Sequence, residues 1–239
     1  MNLSKQTPAA QPSEQESGVV DWLMDEFWPR YGKQTAYVLL AIALLVAAFV
    51  WYNNDRTEQQ GKENKELGPA FVYYSEDKLD SAEAFLVPFV KTSHSRLVQD
   101  KANLMLGQIL YSKGKYDDAI RAFSAVDLNN TKTPLISSGA MHGLASCYIQ
   151  NKSYPLAAET LEKFVSTFGR RSSSPNERVA GKEVVDLSPS VPNALWKLTL
   201  VYRELKNPEK EKATAQKLIA IYPESREAFD ATRLLPQIP

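Results

Sequence analysis

Residues 102–126 read ANLMLGQILYSKGKYDDAIRAFSAV, and residues 140–164 read AMHGLASCYIQNKSYPLAAETLEKF. Overlaid end to end, Ala102, Leu106, Gly107 and Leu110 of the first fall on Ala140, Leu144, Ala145 and Tyr148 of the second. Further along, Tyr116, Ala119, Phe123 and Val126 fall on Tyr154, Ala157, Leu161 and Phe164. Within each copy the apolar residues recur at i, i+3, i+4 and i+7 on either side of a short polar turn, SKGKY or QNKSY. Each copy is therefore a pair of amphipathic helices. Small residues at Ala102, Gly107, Ala119, Ala140, Ala145 and Ala157 let paired helices approach closely, while the aromatics fill the space between pairs. One pair alone cannot bury both of its faces, and stacking solves this, so the units form an array.

Working outward, a third copy begins at Pro192, where Leu198 and Tyr202 take the places of Leu144 and Tyr148 after a longer interval than the one between the first two copies. The excess lies in residues 169–191, GRRSSSPNERVAGKEVVDLSPSV, whose Ser and Pro content marks an insertion loop. Pro223 stops the last long helix, and Ser225–Leu235 reads as a helix capping the open end. Upstream, Gly68–Thr92 forms a degenerate first pair with Ala82, Phe85, Leu86 and Phe89 facing inward and a kink at Pro88. The repeat domain is expected to cover residues 68–239.

Residues 35–52, TAYVLLAIALLVAAFVWY, carry no charge. As a helix they span roughly 27 Å, against a bilayer hydrocarbon core of roughly 30 Å. Trp28 and Tyr31 precede the stretch and Trp51 and Tyr52 close it, placing amphipathic rings at both headgroup levels. Preceding residues 1–34 and the bulky exit read as an uncleaved signal anchor rather than a removable signal peptide. Arg30 and Lys33 flank it before, and Arg56, Lys62 and Lys65 after, so charge nearly balances. Only the nearest flank favours an inward N-terminus.

In the tail, residues 1–16 have a disordered composition. Ser17–Trp28, SGVVDWLMDEFW, reads either as an interfacial helix or as a partner-docking segment. Residues 53–67 form a polar stalk prolonging the membrane helix, weakened at Gly61.

Composition narrows the function. The chain is 44% apolar with zero net charge. Up to Gln34, Lys5, Arg30 and Lys33 face Glu14, Glu16, Asp21, Asp25 and Glu26, a net −2, which leaves +2 for everything after it. No basic surface for nucleic acid is concentrated anywhere. Cys147 stands alone and reads as a buried thiol. There are two histidines, His94 in the solvated loop TSHSR and His142, and no HExxH, CxxC or glycine-rich phosphate loop. Asp117, Asp118, Glu209 and Glu211 read as helix-start acids. No residue is assigned to catalysis, a cofactor or a metal.

The unit LGQILYSKGKYDDAIRAFSAV resembles the tetratricopeptide repeat through its paired LG, the aromatic of the turn, the central alanine and the following Phe. The family's early Trp is replaced by Asn103 and Met141, and its Gly by Ala145 and Thr199. The fold class is then all-α, an N-terminal transmembrane helix followed by a tetratricopeptide-like helical-repeat array. Including FWPRYGKQTAYVLLAIALLVAAFVWYNN and EQQGKENKELGPAFVYY, the whole chain resembles the YfgM-like family of bacterial inner-membrane proteins. That resemblance implies an N-terminus in the cytoplasm, repeats in the periplasm, and an accessory role beside the Sec translocon and periplasmic chaperones.

By resemblance, the first helix of each pair lines a partner groove: Lys101, Leu104, Gln108 and Tyr111, then His142 and Ser146, then Trp196, Leu200 and Arg203. These do not match the Lys and Asn clamp that some relatives use for C-terminal carboxylates. Trp196 reads either as an interface anchor or as a ring packed under the insertion. Arg170, Arg171, Arg178 and Lys182 make the insertion a second candidate contact, with a solvated loop as the alternative. The expected function is a non-enzymatic membrane scaffold for protein partners. Its rivals are an envelope-assembly or division scaffold and a substrate-positioning subunit of a membrane enzyme.

Overall fold

The computed structural model describes residues 28–171 and 184–238, and among them it contains helices and no strand. The chain divides into two compact units, residues 1–58 and 59–239. The segment Ser17–Trp28, apart from its last residue, lies outside the described residues, as do residues 1–16.

Helix α1 runs Trp28–Glu66, 39 residues without a break. Among the described residues it is the helix long and apolar enough to cross a membrane, and its apolar stretch is exposed throughout. The helix passes straight through Gly61. A Cβ there would meet nothing within 4 Å, and the surrounding Glu, Gln and Lys are strong helix formers, so one glycine costs only about 1 kcal/mol.

Four helix pairs follow. They are α2 (Gly68–Ser75) with α3 (Leu79–Thr92), α4 (Arg96–Ser112) with α5 (Tyr116–Ser124), α6 (Pro134–Gln150) with α7 (Tyr154–Phe168), and α8 (Val191–Glu204) with α9 (Pro208–Ile221). Helix α10 (Arg226–Leu234) closes the array, and Ser225 caps it by accepting from the Ala228 amide at 3.1 Å. Pro88 is accommodated inside α3.

What makes the pairs equivalent is a turn repeated bond for bond. In α4/α5 the Gly114 amide donates to Tyr111 O and the Lys115 amide to Leu110 O. Lys152 and Ser153 do the same to Ile149 and Tyr148, Lys206 and Asn207 to Arg203 and Tyr202, and Asp77 and Lys78 to Tyr74 and Tyr73. This double bond recovers carbonyls that a helix end leaves orphaned, and it requires a left-handed residue between them. That residue is Gly114 at φ 72°, but Asp77, Lys152 and Lys206 adopt φ 57°, 57° and 54° without being glycine. Each of these three positions carries roughly 1–2 kcal/mol of backbone strain that the packed pair outweighs.

The core is laid down in two parts. One gathers Leu86, Ile109, Leu110 and Phe123 from the first two pairs, and the other gathers Phe164, Phe168, Leu195 and Leu218 from the last two. Helix α6 serves both: Ala140, Leu144 and Cys147 face the first, Met141 and Ala145 the second. Its sequence PLISSGAMHGLASCYIQ carries no Asp, Glu, Lys or Arg, as a helix buried on two sides requires. Leu128 and Tyr148 touch both parts. Cys147 is fully buried, and desolvation pushes its thiol up to about 11, which leaves it unreactive.

Candidate partner-binding face

Side chains join the end of α1 and the first helices of the last three pairs in succession. Lys101 Nζ on α4 donates to Asn64 Oδ1 on the last turns of α1 at 2.7 Å. Gln150 Nε2 on α6 reaches Tyr111 Oη on α4 at 3.4 Å. Between α6 and α8, His142 Nε2 lies 2.9 Å from Asn193 Oδ1, and Lys197 Nζ donates to Ser146 Oγ at 2.7 Å. Asn193 continues the chain by donating to Glu227 Oε1 on α10 at 3.3 Å. One face of the array is thus stitched from the end of α1 to α10 by neutral and singly charged hydrogen bonds.

The expected groove residues distribute unevenly on this face. Gln108 is exposed, and Lys101, Leu104, Tyr111, His142 and Leu200 are half-buried. Ser146 is buried and donates to His142 O at 2.9 Å, which leaves its lone pairs for Lys197. Trp196 is half-buried and packs on the second part of the core. Arg203 is committed to Glu211 of α9, Nε to Oε1 at 2.9 Å. Asn193 and Lys197, absent from the expected set, are the residues that join α6 to α8.

Burial shapes the titration of this face. Desolvation, reinforced by the neighbouring Lys197 ammonium, lowers His142 below the ordinary imidazole value, and the Asn193 contact only partly opposes it. The Asn193 Oδ1 can only accept, so a hydrogen on His142 Nε2 completes this contact. Lys197 is likewise lowered by burial.

Two carboxylates organise the edges. Glu63, near the end of α1, accepts from Ser93 Oγ at 2.6 Å, the His94 amide at 3.0 Å and the Ser95 amide at 2.9 Å. The His94 ring is exposed, yet its backbone belongs to this clasp. Desolvation would raise the Glu63 carboxyl, but these donors outweigh it and hold it below the usual range. Asp186 closes the neck of the insertion: its Oδ1 accepts from the Arg170 and Arg171 amides at 2.7 and 2.9 Å, its Oδ2 from Tyr222 at 2.8 Å. Arg171 also stacks over the Tyr222 ring at 5.8 Å. Arg170 and Arg171 therefore build the neck, while Arg178 and Lys182 lie outside the described residues.

The helix-start acids do more than face a dipole. Asp117 accepts from Asn151 Nδ2 of the next turn at 2.7 Å, and Glu83 of α3 holds Lys115 at 2.8 Å. Asp118 pairs with Arg121 within its own helix. Among the described residues no group of three His, Cys, Asp or Glu is placed to hold a metal ion.

Repeated helix pairs, a side-chain-stitched face and interlocking small and aromatic residues define a helical-repeat protein whose surface is available for recognition. Residues 25–167 match the family described as Tetratricopeptide repeat-like domain, and residues 193–225 match the Tetratricopeptide repeat. The chain belongs to the Tetratricopeptide repeat-like domain family, which is in general a non-enzymatic protein-interaction module.

Solved structures agree at the level of fold. The chain is similar to a tetratricopeptide repeat protein from Parabacteroides merdae at 18% identity and TM-score 0.55, covering 74% of this chain and 60% of that one. It is also similar to MamA at 18% identity and TM-score 0.52, covering 70% and 82%. Among curated proteins, no sequence matches significantly.

Proposed function

We propose that the protein is a membrane-tethered interaction scaffold, anchored through residues 35–52 of α1, with its N-terminus in the bacterial cytoplasm and its repeats in the periplasm. The observation that carries this reading is the apolar stretch of α1, whose large side chains from Tyr37 to Tyr52 stand exposed and suit a hydrocarbon surround. Arg56 stacks over the Tyr52 ring at 5.4 Å, which suits a headgroup-level boundary. Resemblance to the YfgM-like family favours the outward repeats and an accessory role linking the Sec translocon to periplasmic chaperones. Tethering confines partners to the membrane surface, so weak contacts on the first-helix face suffice.

Two experiments test the reading. Alkaline phosphatase fused after Ile238 should be active, and a fluorescent reporter fused before Met1 should mature in the cytoplasm; a silent phosphatase fusion overturns the orientation. A photo-crosslinking residue at Gln108 in the full chain should yield adducts with translocon subunits or chaperones. Adducts confined to wall-assembly or division proteins would transfer the scaffold to that process.

A further inference from the structure

Several cations of the repeat domain are matched by acids. Lys113 lies against Asp80 and Glu83, Lys115 against Glu83, Arg96 against Asp100, and Lys210 against Glu162. Lys197 differs. It is half-buried on α8, its ammonium donates to the Ser146 hydroxyl, and among the described residues no carboxylate oxygen lies within ion-pair distance of it. A half-buried ammonium held by one neutral oxygen has lost hydration without gaining a counter-charge. An anion brought from outside would supply the missing counter-charge.

The stripe beside it supplies a second contact. Leu135, Gly139, His142 and Ser146 follow one another along α6 at intervals of one helical turn, so they share one face. Leu135 leaves 68% of its surface exposed at the start of that stripe. Leu135 and Ser146 lie roughly 16 Å apart along the axis. An extended chain covers that distance in about five residues.

We propose that the face between α6 and α8 takes an extended partner segment with an acidic side chain on Lys197 and an apolar side chain about five residues away on Leu135. The inference rests on the scaffold reading and specifies the chemistry of its partner. Charge complementarity selects the acidic side chain, and the helix rise sets the spacing.

The probe is a fluorescein-labelled, N-acetylated and C-terminally amidated decapeptide of Ser, Thr and Gly with Leu at position 3 and Glu at position 8. It is titrated onto the full-length chain in detergent at neutral pH, with anisotropy as readout. Binding should weaken about tenfold or more when the peptide Glu becomes Gln, and likewise with Lys197→Gln. Leu135→Ser, a surface change with no folding cost, should weaken it severalfold, and moving Leu next to Glu should do the same. Lys197→Glu should restore preference to a peptide with Lys at position 8.

Equal binding of the Glu and Gln peptides, unaffected by Lys197→Gln, overturns the proposal. So does a Gln peptide with a free C-terminus that binds as tightly as the amidated Glu peptide, because the ammonium then reads chain ends. Absence of measurable binding by every peptide at millimolar concentration also overturns it. None of these results touches the orientation and crosslinking experiments, which test the scaffold reading separately.

Discussion

The junction between α4 and α6 and the junction between α6 and α8 join equivalent helices with different emphasis. At the first, the Phe123 ring of α5 sits on two glycines: a Cβ at Gly107 would lie 2.6 Å from it, and one at Gly143 2.4 Å. The ring is 1% exposed. At the second, the position equivalent to Phe123 is Leu161, and α6 and α8 are bridged by His142–Asn193 and Ser146–Lys197. Just before α8, Asp186 closes the neck of the insertion. Close backbone approach leaves the first junction one packing solution. At the second, polar bridges are added to the apolar packing, and it is there that the face offers an ammonium with no carboxylate beside it.

The largest break of this contrast is at Phe123. Phe123→Ala removes the wedge and leaves a cavity between two glycine-lined helices, and it should cost about 3–5 kcal/mol in urea unfolding of the full chain. A loss below about 1 kcal/mol would mean that the junction is not held by this ring. Gly143→Ala should cost about 1–3 kcal/mol, because the buried ring has to move. Gly139→Ala is its control. Its Cβ would meet Leu104 at an ordinary 3.4 Å, so the gain in helix propensity should leave it neutral or up to about 1 kcal/mol more stable. Similar costs at both glycines would sink the argument.

Beside the second junction the expected effect is smaller and local. Asp186→Ala leaves two backbone amides and the Tyr222 hydroxyl without their acceptor, a loss of about 1–3 kcal/mol. Hydrogen exchange should quicken at Arg170 and Arg171 while Leu106–Leu110 stay protected. Uniform loss of protection across the array would show that the two core parts unfold as one.

At the other edge, Glu63 gives a pH signature. Its folded pKa lies below the unfolded value, so its contribution is complete above the unfolded carboxylate range near about 4.3 and disappears as pH falls through the folded value. Glu63→Gln should cost about 1 kcal/mol at pH 7 and remove that part of the acid dependence. Parallel stability–pH curves for the two proteins would refute the clasp.

How much of this was legible in the sequence follows from what each feature depends on. The pairs at residues 102–164, the turn positions and the cap at Ser225 are local patterns of apolar spacing and punctuation, so the chain states them directly. The tetratricopeptide identity rests on the same positions. Lys197 and Asn193 escape such a reading because carrying the groove over in repeat register takes His142 to Trp196 and Ser146 to Leu200. The observed bridges run at a separation of 51, a register that inter-helix packing sets. Gly143 carries no signal either, since the repeat pattern places its small residue at Ala145. The clasps at Glu63 and Asp186 join positions separated by 31 and 16 in the chain, contacts that no local pattern encodes.

The smallest effect sharpens the comparison from the side of the backbone. All four turns make the same two bonds, but only Gly114 is a residue to which φ 72° costs little. Lys206, at φ 54° between α8 and α9, is solvent-exposed, so Lys206→Gly removes no packing. Relief of left-handed strain outweighs the extra freedom glycine gains in the unfolded chain, and a rise of about 0.5–1 kcal/mol should follow. Gly114→Ala should lose a similar amount. If Lys206→Gly destabilises instead, the turn at α8/α9 is held by its side chain rather than by its carbonyl bonds, and the equivalence of the four pairs fails at the pair that carries Lys197.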